Sequence, residues 1–478
     1  MLTNRLQEIE EILNGNAPMS LSEICEEEIK EFKASEQYRI ILEAERYYRN
    51  RSDVQQKTVT INNRSNVKME HPVVKKLVDQ KANYLLSKPF TVESDNKLYA
   101  EALNEICDNK FRLKIKSLGK GAVKSGVAYL APYFEGGKLQ FMRLPSTEVI
   151  PLWKDAEHTE IGAYIRFYDQ IVYSGRNKKI VTRVEYWDST GVKRFKNNGQ
   201  GGTQLVPDTD FIPEESHFVY NGQPYNFETV PLAWVKYNEE ELPLQYFIKD
   251  LIDDINWQSS VTSDVLRDVA KFIYILKGYG GVDLVEFIRD LRENMAIKID
   301  GIDGGVDTLQ ADINVDAVLK FLDKNRRDLF DFAAAVDTKD PNLGNASGTA
   351  INFRYMDLDT DCAALATELQ NTFLQMKVFF DVYLQIIGKG DFTKDSFSIK
   401  FNADMPVNET DIINNVRNSE GVVSKRTRAA NHPWVQDVDE ELEQIKKEQQ
   451  EEMEQFGSGM FDGAIGAVGG DPPNGEEQ

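Results

Sequence analysis

Two long helical patterns, separated by a short polar loop, constrain this chain more than any other feature. Before the loop, apolar residues recur at spacings of three, four or seven, at Val315, Val318, Leu319, Leu322, Leu329, Phe332 and Val336. After the loop, a second pattern runs through Ile351, Leu365, Leu369, Phe373, Met376, Phe380, Tyr383 and Ile387. Each pattern predicts a helix with one apolar face that must pack against another element.

The loop itself, residues 338–349, offers almost nothing to bury. It contains one Pro and two Gly, together with Asn342 and Asn345. Because Gly and Asn tolerate several backbone states, we expect the loop to project from the body of the fold and to change conformation readily. The alternative interpretation is a simple surface connector.

Size and charge limit the possible classes of protein. With 478 residues, two or more domains or layers are expected. The formal net charge is −22, from 56 Lys plus Arg and 78 Asp plus Glu. This excess of acid is consistent with simple solubility, or with a surface that avoids sticking to a polyanion. It disfavours a free-standing sequence-specific DNA binder, which gains affinity by neutralising phosphates.

The periodicity along the chain predicts an α+β fold with a largely antiparallel sheet. Residues 20–53 read as two helices, with Ser22 as the expected N-cap of the first, and 58–63 reads as extended. His71-Pro72 opens a further helix, and residues 96–125 continue helical. The period then shortens to two in a hairpin at 127–134 and 138–144, and strands follow at 161–168, 180–187 and 192–195.

The second half of the chain reads as helix, small insert and returning helix. A helix is predicted from Leu244 to Leu266, with its apolar side including Phe247, Ile248 and Ile252. A small unit follows, with a helix at 283–295 and a strand at 296–299, before the 314–337 helix. Beyond the 349–387 helix we expect a strand at 396–401, helices near 409–416, 422–428 and 438–455, and a disordered tail from Gly457.

No constellation for catalysis or metal binding is found in the sequence. The three cysteines are scattered and the four histidines lie in different segments, which predicts no disulfide framework, no zinc site and a reducing cytoplasm. Nothing resembles a signal peptide or a membrane span. Asp357, Asp359 and Asp361 lie near the start of a predicted helix, where acids stabilise the helix dipole. No catalytic residue, metal or cofactor is therefore expected.

One basic run stands out from the acidic background. It comprises Lys110, Arg112, Lys114, Lys116, Lys120 and Lys124, with no acid among them. One interpretation is a cationic face that complements acidic surface in a neighbouring copy. The other is direct contact with nucleic acid.

Three segments give the chain a resemblance to a known family. They are residues 71–90 (HPVVKKLVDQKANYLLSKPF), 276–281 (LKGYGG) and 347–355 (SGTAINFRY), in this order. Together with the order of the predicted elements over roughly residues 20–455, they resemble the portal (head-to-tail connector) proteins of tailed bacteriophages, in the branch typified by phage SPP1. The resemblance implies a ring, usually of twelve subunits, at one capsid vertex of the virion. Double-stranded DNA would pass through its axis during packaging and ejection.

The resemblance also implies a division of the chain. The wing would comprise 1–240 (helices, then antiparallel strands) and 350–402 (the long helix and a strand). The two stem helices would be 241–267 and 314–337, the clip 268–313 and the tunnel loop 338–349. A helical crown would span 403–456, and 457–478 would be a disordered tail. Assembly would take place in the host cytoplasm.

Partners and site residues follow from the same resemblance. The clip would meet the large subunit of terminase and later the head-completion (adaptor) proteins, while the wing would meet the major capsid and scaffolding proteins. Transient DNA contacts are expected from Lys339, Asn342 and Asn345 in the loop, and from Lys320, Lys324 and Arg327 if they face the channel. The expected clip contacts are Tyr279, Asp283, Glu286 and Arg289.

Two other functions are compatible with the sequence. One is a monomeric helical adaptor or scaffold protein in phage assembly that binds its partner through the 110–124 run. The other is an enzyme acting on nucleic acid through Asp357, Asp359 and Asp361. A ring-forming protein is distinguished from both by the mass of the purified particle.

Overall fold

The computed structural model divides the chain by its contacts into two compact units, residues 1–338 with 355–404, and residues 339–354 with 405–478. It describes residues 5–14, 19–58, 65–174, 176–197, 204–269, 273–277, 283, 285, 289, 305–309, 315–340, 348–403, 409–435, 438 and 440–450. Helices and antiparallel strands are mixed along the chain, so the predicted α+β class is confirmed.

The helices agree closely with the predicted positions. They are α1 (Arg5–Asn14), α2 (Leu21–Ala34), α3 (Glu36–Tyr48), α4 (Val73–Leu86), α5 (Lys97–Ile106), α6 (Asn109–Ser125), α7 (Leu244–Val269), α8 (Val315–Phe332), α9 (Gly348–Ile386), α10 (Glu409–Asn418) and α11 (Lys425–Ala430). A 3₁₀ turn covers Asp53–Gln56, and residues 440–450 are also helical. The expected extended piece at 58–63 and the tail from Gly457 lie outside the described residues, apart from residue 58.

The strands form antiparallel sheets. They are β1 (Thr91–Glu93), β2 (Val127–Glu135), β3 (Lys138–Leu144), β4 (Val149–Trp153), β5 (Ile161–Ser174), β6 (Asn177–Trp187), β7 (Val192–Asn197), β8 (Leu205–Pro207), β9 (Glu214–Glu215), β10 (Phe218–Tyr220), β11 (Gln223–Tyr225), β12 (Ala233–Lys236), β13 (Ile273–Lys277), β14 (Gly305–Leu309) and β15 (Ser398–Lys400). The largest sheet has the order β4-β5-β6-β7-β8, with β9 also pairing with β7. A second has the order β12-β2-β3, and β1-β15, β10-β11 and β13-β14 are two-stranded.

Turn chemistry explains the hairpin between β2 and β3. Gly136 and Gly137 have φ values of +59° and +76°, the left-handed conformation that a two-residue type I′ hairpin turn requires at both positions. The predicted hairpin is therefore confirmed. The next hairpin is longer than predicted, because β5 and β6 remain paired as far as Ser174 and Asn177.

The long helix α9 contributes a row of buried side chains to the first unit. Leu365, Leu369, Phe373, Met376 and Phe380 are all essentially inaccessible to solvent, which confirms this part of the predicted apolar face. Phe373 and Phe380 make edge-to-face contacts with Phe111 of α6. Such aromatic pairs add to the burial energy and fix the orientation of the rings.

The predicted faces of the two other long helices are partly wrong. On α8, Leu329 and Val336 after the helix end are buried, but Leu319 is 57% and Phe332 is 68% exposed. On α7, Ile248 and Ile252 are buried, whereas Phe247 is exposed. The apolar positions on these helices cover more than one side, and only one side of each packs against other described residues.

The insert between α7 and α8 is described only in part. It contains the antiparallel pair of β13 with β14, from Ile273↔Leu309 to Lys277↔Gly305, which the periodicity did not predict. The predicted helix at 283–295 is described at residues 283, 285 and 289 alone, and the predicted strand at 296–299 lies outside the described residues.

The N-cap of α2 is Ser20 rather than Ser22. The Ser20 hydroxyl accepts from the backbone N–H of Glu23 at 3.3 Å, and the Glu23 carboxylate accepts from the backbone N–H of Ser20 at 2.7 Å. This reciprocal pair is a capping box with Glu at the third helical position. The prediction placed the cap two residues too late, where Cys25 holds that position.

We expect Ser20→Ala to cost about 1 kcal/mol of unfolding free energy, because it removes an N-cap hydroxyl. Ser22→Ala, the matched control, should leave stability nearly unchanged. Thermal unfolding followed by circular dichroism measures both variants. Equal destabilisation by the two substitutions would contradict the assignment of the cap.

Candidate functional site

The helices α7 and α8 form the candidate site. They pack against each other within the first unit. The contact includes a buried polar pair, in which the Asn325 side-chain amide donates to the Asp254 carboxylate at 2.6 Å. Such a bond fixes the register of the two helices. If one helix slid along the other, the Asn325 amide and the Asp254 carboxylate would each lose this hydrogen bond.

A ladder of polar side chains on α7 binds the extended segment 65–71, which we call the strap. Four acceptor side chains recur every four residues along α7. They accept hydrogen bonds from the backbone N–H groups of every second residue of the strap. The pairs are Asn256 with His71 at 3.0 Å, Ser260 with Met69 at 2.8 Å, Asp264 with Val67 at 2.6 Å and Asp268 with Ser65 at 3.2 Å. The strap therefore runs antiparallel to α7.

The geometry of helix and strand explains why this ladder stays in register. Four helical residues rise about 6 Å, and two extended residues rise about 6.6 Å. One rung on α7 therefore meets every second residue of the strap. At the rung formed by Asp264, the buried Lys57 ammonium pairs with the carboxylate and also donates to the Val67 carbonyl at 3.2 Å.

The first end of the loop is fixed to helix α4. Gln80 uses both ends of its amide on Val336, donating to the carbonyl at 2.8 Å and accepting from the N–H at 3.2 Å. The Lys81 ammonium donates to the Ala334 carbonyl at 2.9 Å. Ala334 has φ of +45°, a strained conformation for a residue with a Cβ, and the bonds from α4 hold its carbonyl and the backbone that follows it.

Helix α9, which follows the loop, is bound to the same helix from Tyr355 onwards. Lys81 also pairs with Asp361 of α9 at 2.7 Å, and the Tyr84 hydroxyl donates to Asp359 at 2.8 Å. The rings of Tyr84 and Tyr355 stack with centroids 6.2 Å apart. We call Gln80, Lys81 and Tyr84 the α4 clamp, because these side chains bind the chain both before and after the loop.

The phenol donors around these carboxylates remain protonated at neutral pH. Burial, followed by the hydrogen bond to Asp359, raises the pKa of Tyr84. Burial and the nearby Asp361 charge likewise raise the pKa of Tyr237, whose hydroxyl donates to Asp361 at 3.0 Å. A phenol with a raised pKa keeps its proton and therefore keeps its donor role.

This arrangement corrects the interpretation of the three aspartates of α9. Asp357, Asp359 and Asp361 were predicted to stabilise the dipole of a helix start. The helix begins at Gly348, which places them in the third and fourth turns, beyond the reach of the dipole effect. Asp359 and Asp361 instead accept hydrogen bonds from residues distant in sequence, and sequence spacing alone carries no signal of those partners.

The predicted stem residues lie on exposed positions of α8. Lys320, Lys324 and Arg327 are four and three residues apart, so they share one side of the helix. Lys324 forms an ion pair with Asp328, and Arg327 lies 3.5 Å from Asp323. Acidic neighbours thus offset much of the positive charge on this helix.

The other predicted contact residues are described only in part. Lys339 is exposed, while Asn342 and Asn345 lie outside the described residues. Next to Lys339, Asp340 pairs with Arg354 at 2.5 Å. Asp283 and Arg289 are exposed, and the remaining predicted clip residues, Tyr279 and Glu286, lie outside the described residues.

The basic run on α6 is not one continuous cationic face. Lys120 pairs with Asp79 at 2.6 Å and Lys124 with Glu45 at 2.8 Å, within the first unit. The Arg112 guanidinium lies over the ring of Phe90 at 5.4 Å. Exposed positions remain at Lys110 and Lys114, with Lys116 half-buried. Half of the run therefore serves internal packing, because helical periodicity turns those residues towards α3 and α4.

The described part of the chain holds no group of three or more His, Cys, Asp or Glu side chains arranged to bind a metal ion. The histidine rings instead make ordinary hydrogen bonds, such as His158 with Glu241 at 2.7 Å and His71 with Asn256 at 2.8 Å. Among the described helices, none combines the length and apolarity needed to cross a membrane.

The α4 clamp gives a test by mutation. Lys81 is fully buried, so Lys81→Met leaves Asp361 without its ion pair and should cost about 3 kcal/mol of unfolding free energy. The control is Lys76→Met on the same helix, since exposed Lys76 lies 3.7 Å from Asp337 and such pairs contribute at most about 1 kcal/mol. Denaturant unfolding measures both, and similar losses would contradict the role of the clamp.

Comparison with known proteins gives a consistent result. The profile of a family described as phage portal protein, SPP1 Gp6-like, matches residues 28–455. A protein named portal protein from Bacillus phage SPP1 is 31% identical over 437 residues, which cover 88% of this chain and 86% of that protein. A portal protein from Clostridium phage phiCD119 is 27% identical over 428 residues, covering 84% and 90%.

Proposed function

The chain belongs to the phage portal protein family, SPP1 Gp6-like, and from that premise we propose that its copies form a closed ring at one vertex of a phage capsid. Twelve copies are the expected number. The ring is the channel through which double-stranded DNA is packaged and ejected. It is also the docking site for the large subunit of terminase and for head-completion proteins. Its role is structural rather than catalytic.

The observation that carries this proposal is the packed pair α7–α8, together with a helix, α4, that binds the chain before the loop and again in α9 after it. In a channel subunit, paired helices line the bore and the loop contacts the polymer. The clamp formed by Gln80, Lys81 and Tyr84 holds the chain before that loop and in helix α9 after it. Movement of the loop against DNA would then not disturb the wing, to which we assign α4.

The charge pattern supports passage of DNA without tight binding. The net charge of −22 opposes attraction to a polyanion, and tight binding depends on phosphate neutralisation. On α8, the bidentate pair of Arg326 with Asp337, at 2.8 and 3.0 Å, is a further case of offset positive charge. We propose Lys320, Lys324 and Arg327 as weak, salt-sensitive contacts of the channel wall.

The remaining regions keep the roles that the resemblance implied. The wing is 1–240 with 350–402, the stem 241–267 with 314–337, the clip 268–313, the tunnel loop 338–349 and the crown 403–456. Lys339, Asn342 and Asn345 are the proposed loop contacts with DNA. The proposed clip contacts with terminase and head-completion proteins are Tyr279, Asp283, Glu286 and Arg289. The wing contacts the major capsid and scaffolding proteins.

The mass of the purified protein tests the ring directly. Twelve copies of a 54.5 kDa chain weigh about 650 kDa, and we expect native mass spectrometry to show one closed oligomer near that mass. A strict monomer at every concentration and ionic strength would contradict the proposal. That result would favour the monomeric adaptor, although the internal pairing of Lys120 and Lys124 leaves it a smaller basic surface than the sequence suggested.

A deletion separates the role of the loop from assembly. Removing residues 339–346 should leave the oligomer intact, because α4 remains bound to the segment before the loop and to helix α9 after it. The same deletion should reduce the DNA packaged per particle at least tenfold. A variant with the same eight residues replaced by Gly and Ser controls for chain length. Loss of the oligomer in the deletion would show that the loop has a structural role instead.

A further inference from the structure

The hairpin of β5 and β6 extends beyond the sheet that carries it. β4 pairs with β5 only as far as Arg166, and β7 pairs with β6 only from Arg183 onwards. The pairs from Ile171↔Ile180 to Ser174↔Asn177 therefore have no third strand among the described residues. We call residues 171–174 and 176–180 the arm. It is a two-stranded ribbon about 14 Å long, at roughly 3.4 Å per residue.

One face of the arm is apolar and open to solvent. Residues opposite one another in an antiparallel pair share a face, so Ile171, Tyr173, Lys178 and Ile180 lie together. Ile171 is 52%, Tyr173 is 70% and Ile180 is 64% exposed. A two-stranded ribbon is only marginally stable in water, and clustered exposed apolar side chains mark sites of interaction. Within the chain nothing described covers this face.

The charge of the arm indicates what would cover it. The arm carries Arg176, Lys178 and Lys179 and no acidic residue, whereas the whole chain has a net charge of −22. A second copy of this chain therefore offers an acidic surface that complements the arm. A nucleic acid would match the three cations but would leave the Ile171, Tyr173 and Ile180 face in water.

We propose that the arm docks onto the neighbouring copy in the ring, with the Ile171, Tyr173 and Ile180 face buried and Lys178, on that same face, against an acidic side chain. This inference rests on the proposed function, since a closed ring uses a head-to-tail interface in which each copy donates one surface and receives another. The arm is the donated surface. Tyrosine is enriched among residues that dominate binding energy, so Tyr173 is the anchor.

Cross-linking from Tyr173 tests the contact itself. The native thiols of Cys25, Cys107 and Cys362 are buried, and burial raises the pKa of each to about 12. A maleimide photo-cross-linker should therefore label only the new thiol of Tyr173→Cys. In a mixture of ¹⁴N and ¹⁵N chains, we expect cross-linked peptides that combine both isotopes. Cross-links confined to single chains would overturn the inference.

Substitution tests the energetic role. Ile171→Ser, Tyr173→Ser and Ile180→Ser combined should lower the ring population at least tenfold at a given concentration. The control Leu98→Ser, on α5 and also 70% exposed, should not. The substituted side chains are exposed, so each variant should keep its far-ultraviolet circular dichroism and melting temperature.

The remaining outcomes distinguish a failure of the arm docking from a failure of the portal proposal. Normal rings from both wild type and the arm variant would overturn the docking of the arm and leave the portal proposal standing. If the arm variant forms normal rings that fail to enter phage heads, the arm contacts another capsid component. That result would also overturn docking onto the neighbouring copy. A wild-type protein that forms no ring would overturn the portal proposal itself.

Discussion

The buried ammonium of Lys81 is the interaction on which the rest of the functional region depends. A fully desolvated charge is tolerated only with a well-placed partner and further hydrogen bonds. Lys81 satisfies this requirement by binding the Ala334 carbonyl and the Asp361 carboxylate. The Ala334 carbonyl precedes the loop and the Asp361 carboxylate follows it, so one side chain binds the first unit on both sides of the loop in sequence. On the same helix, Gln80 binds Val336 before the loop and Tyr84 binds Asp359 after it.

The helix α7 shows how a long helix is held without a continuous apolar face. Its buried side begins with Leu244, Ile248 and Ile252 and continues through Asn256, Ser260 and Asp264. The polar half is satisfied by the strap, whose rise per two residues matches four residues of helix. Apolar positions such as Trp257 are thereby left exposed.

The sequence predicted the helices well and their contacts poorly. Periodicity located α4, α7, α8 and α9, because an amphipathic pattern depends only on spacing. It misjudged Leu319 and Phe332, since spacing alone does not distinguish exposed apolar residues of a helix from buried ones. It also misread Asp359 and Asp361, whose partners lie about 280 residues away in sequence. The strap ladder had a sequence signal, four polar residues spaced by four on α7, but its partner segment had none.

Hydrogen exchange across the two ends of the loop tests this account most directly. If the α4 clamp fixes both ends, peptides covering 333–337 and 358–362 in the native protein should exchange as slowly as α4 itself. In Lys81→Met, both peptides should exchange faster together, while the strap should be unchanged. Rapid exchange of either peptide in the wild-type protein would contradict the claim that α4 holds the chain on both sides of the loop. Faster exchange of only one of the two peptides in Lys81→Met would contradict it as well.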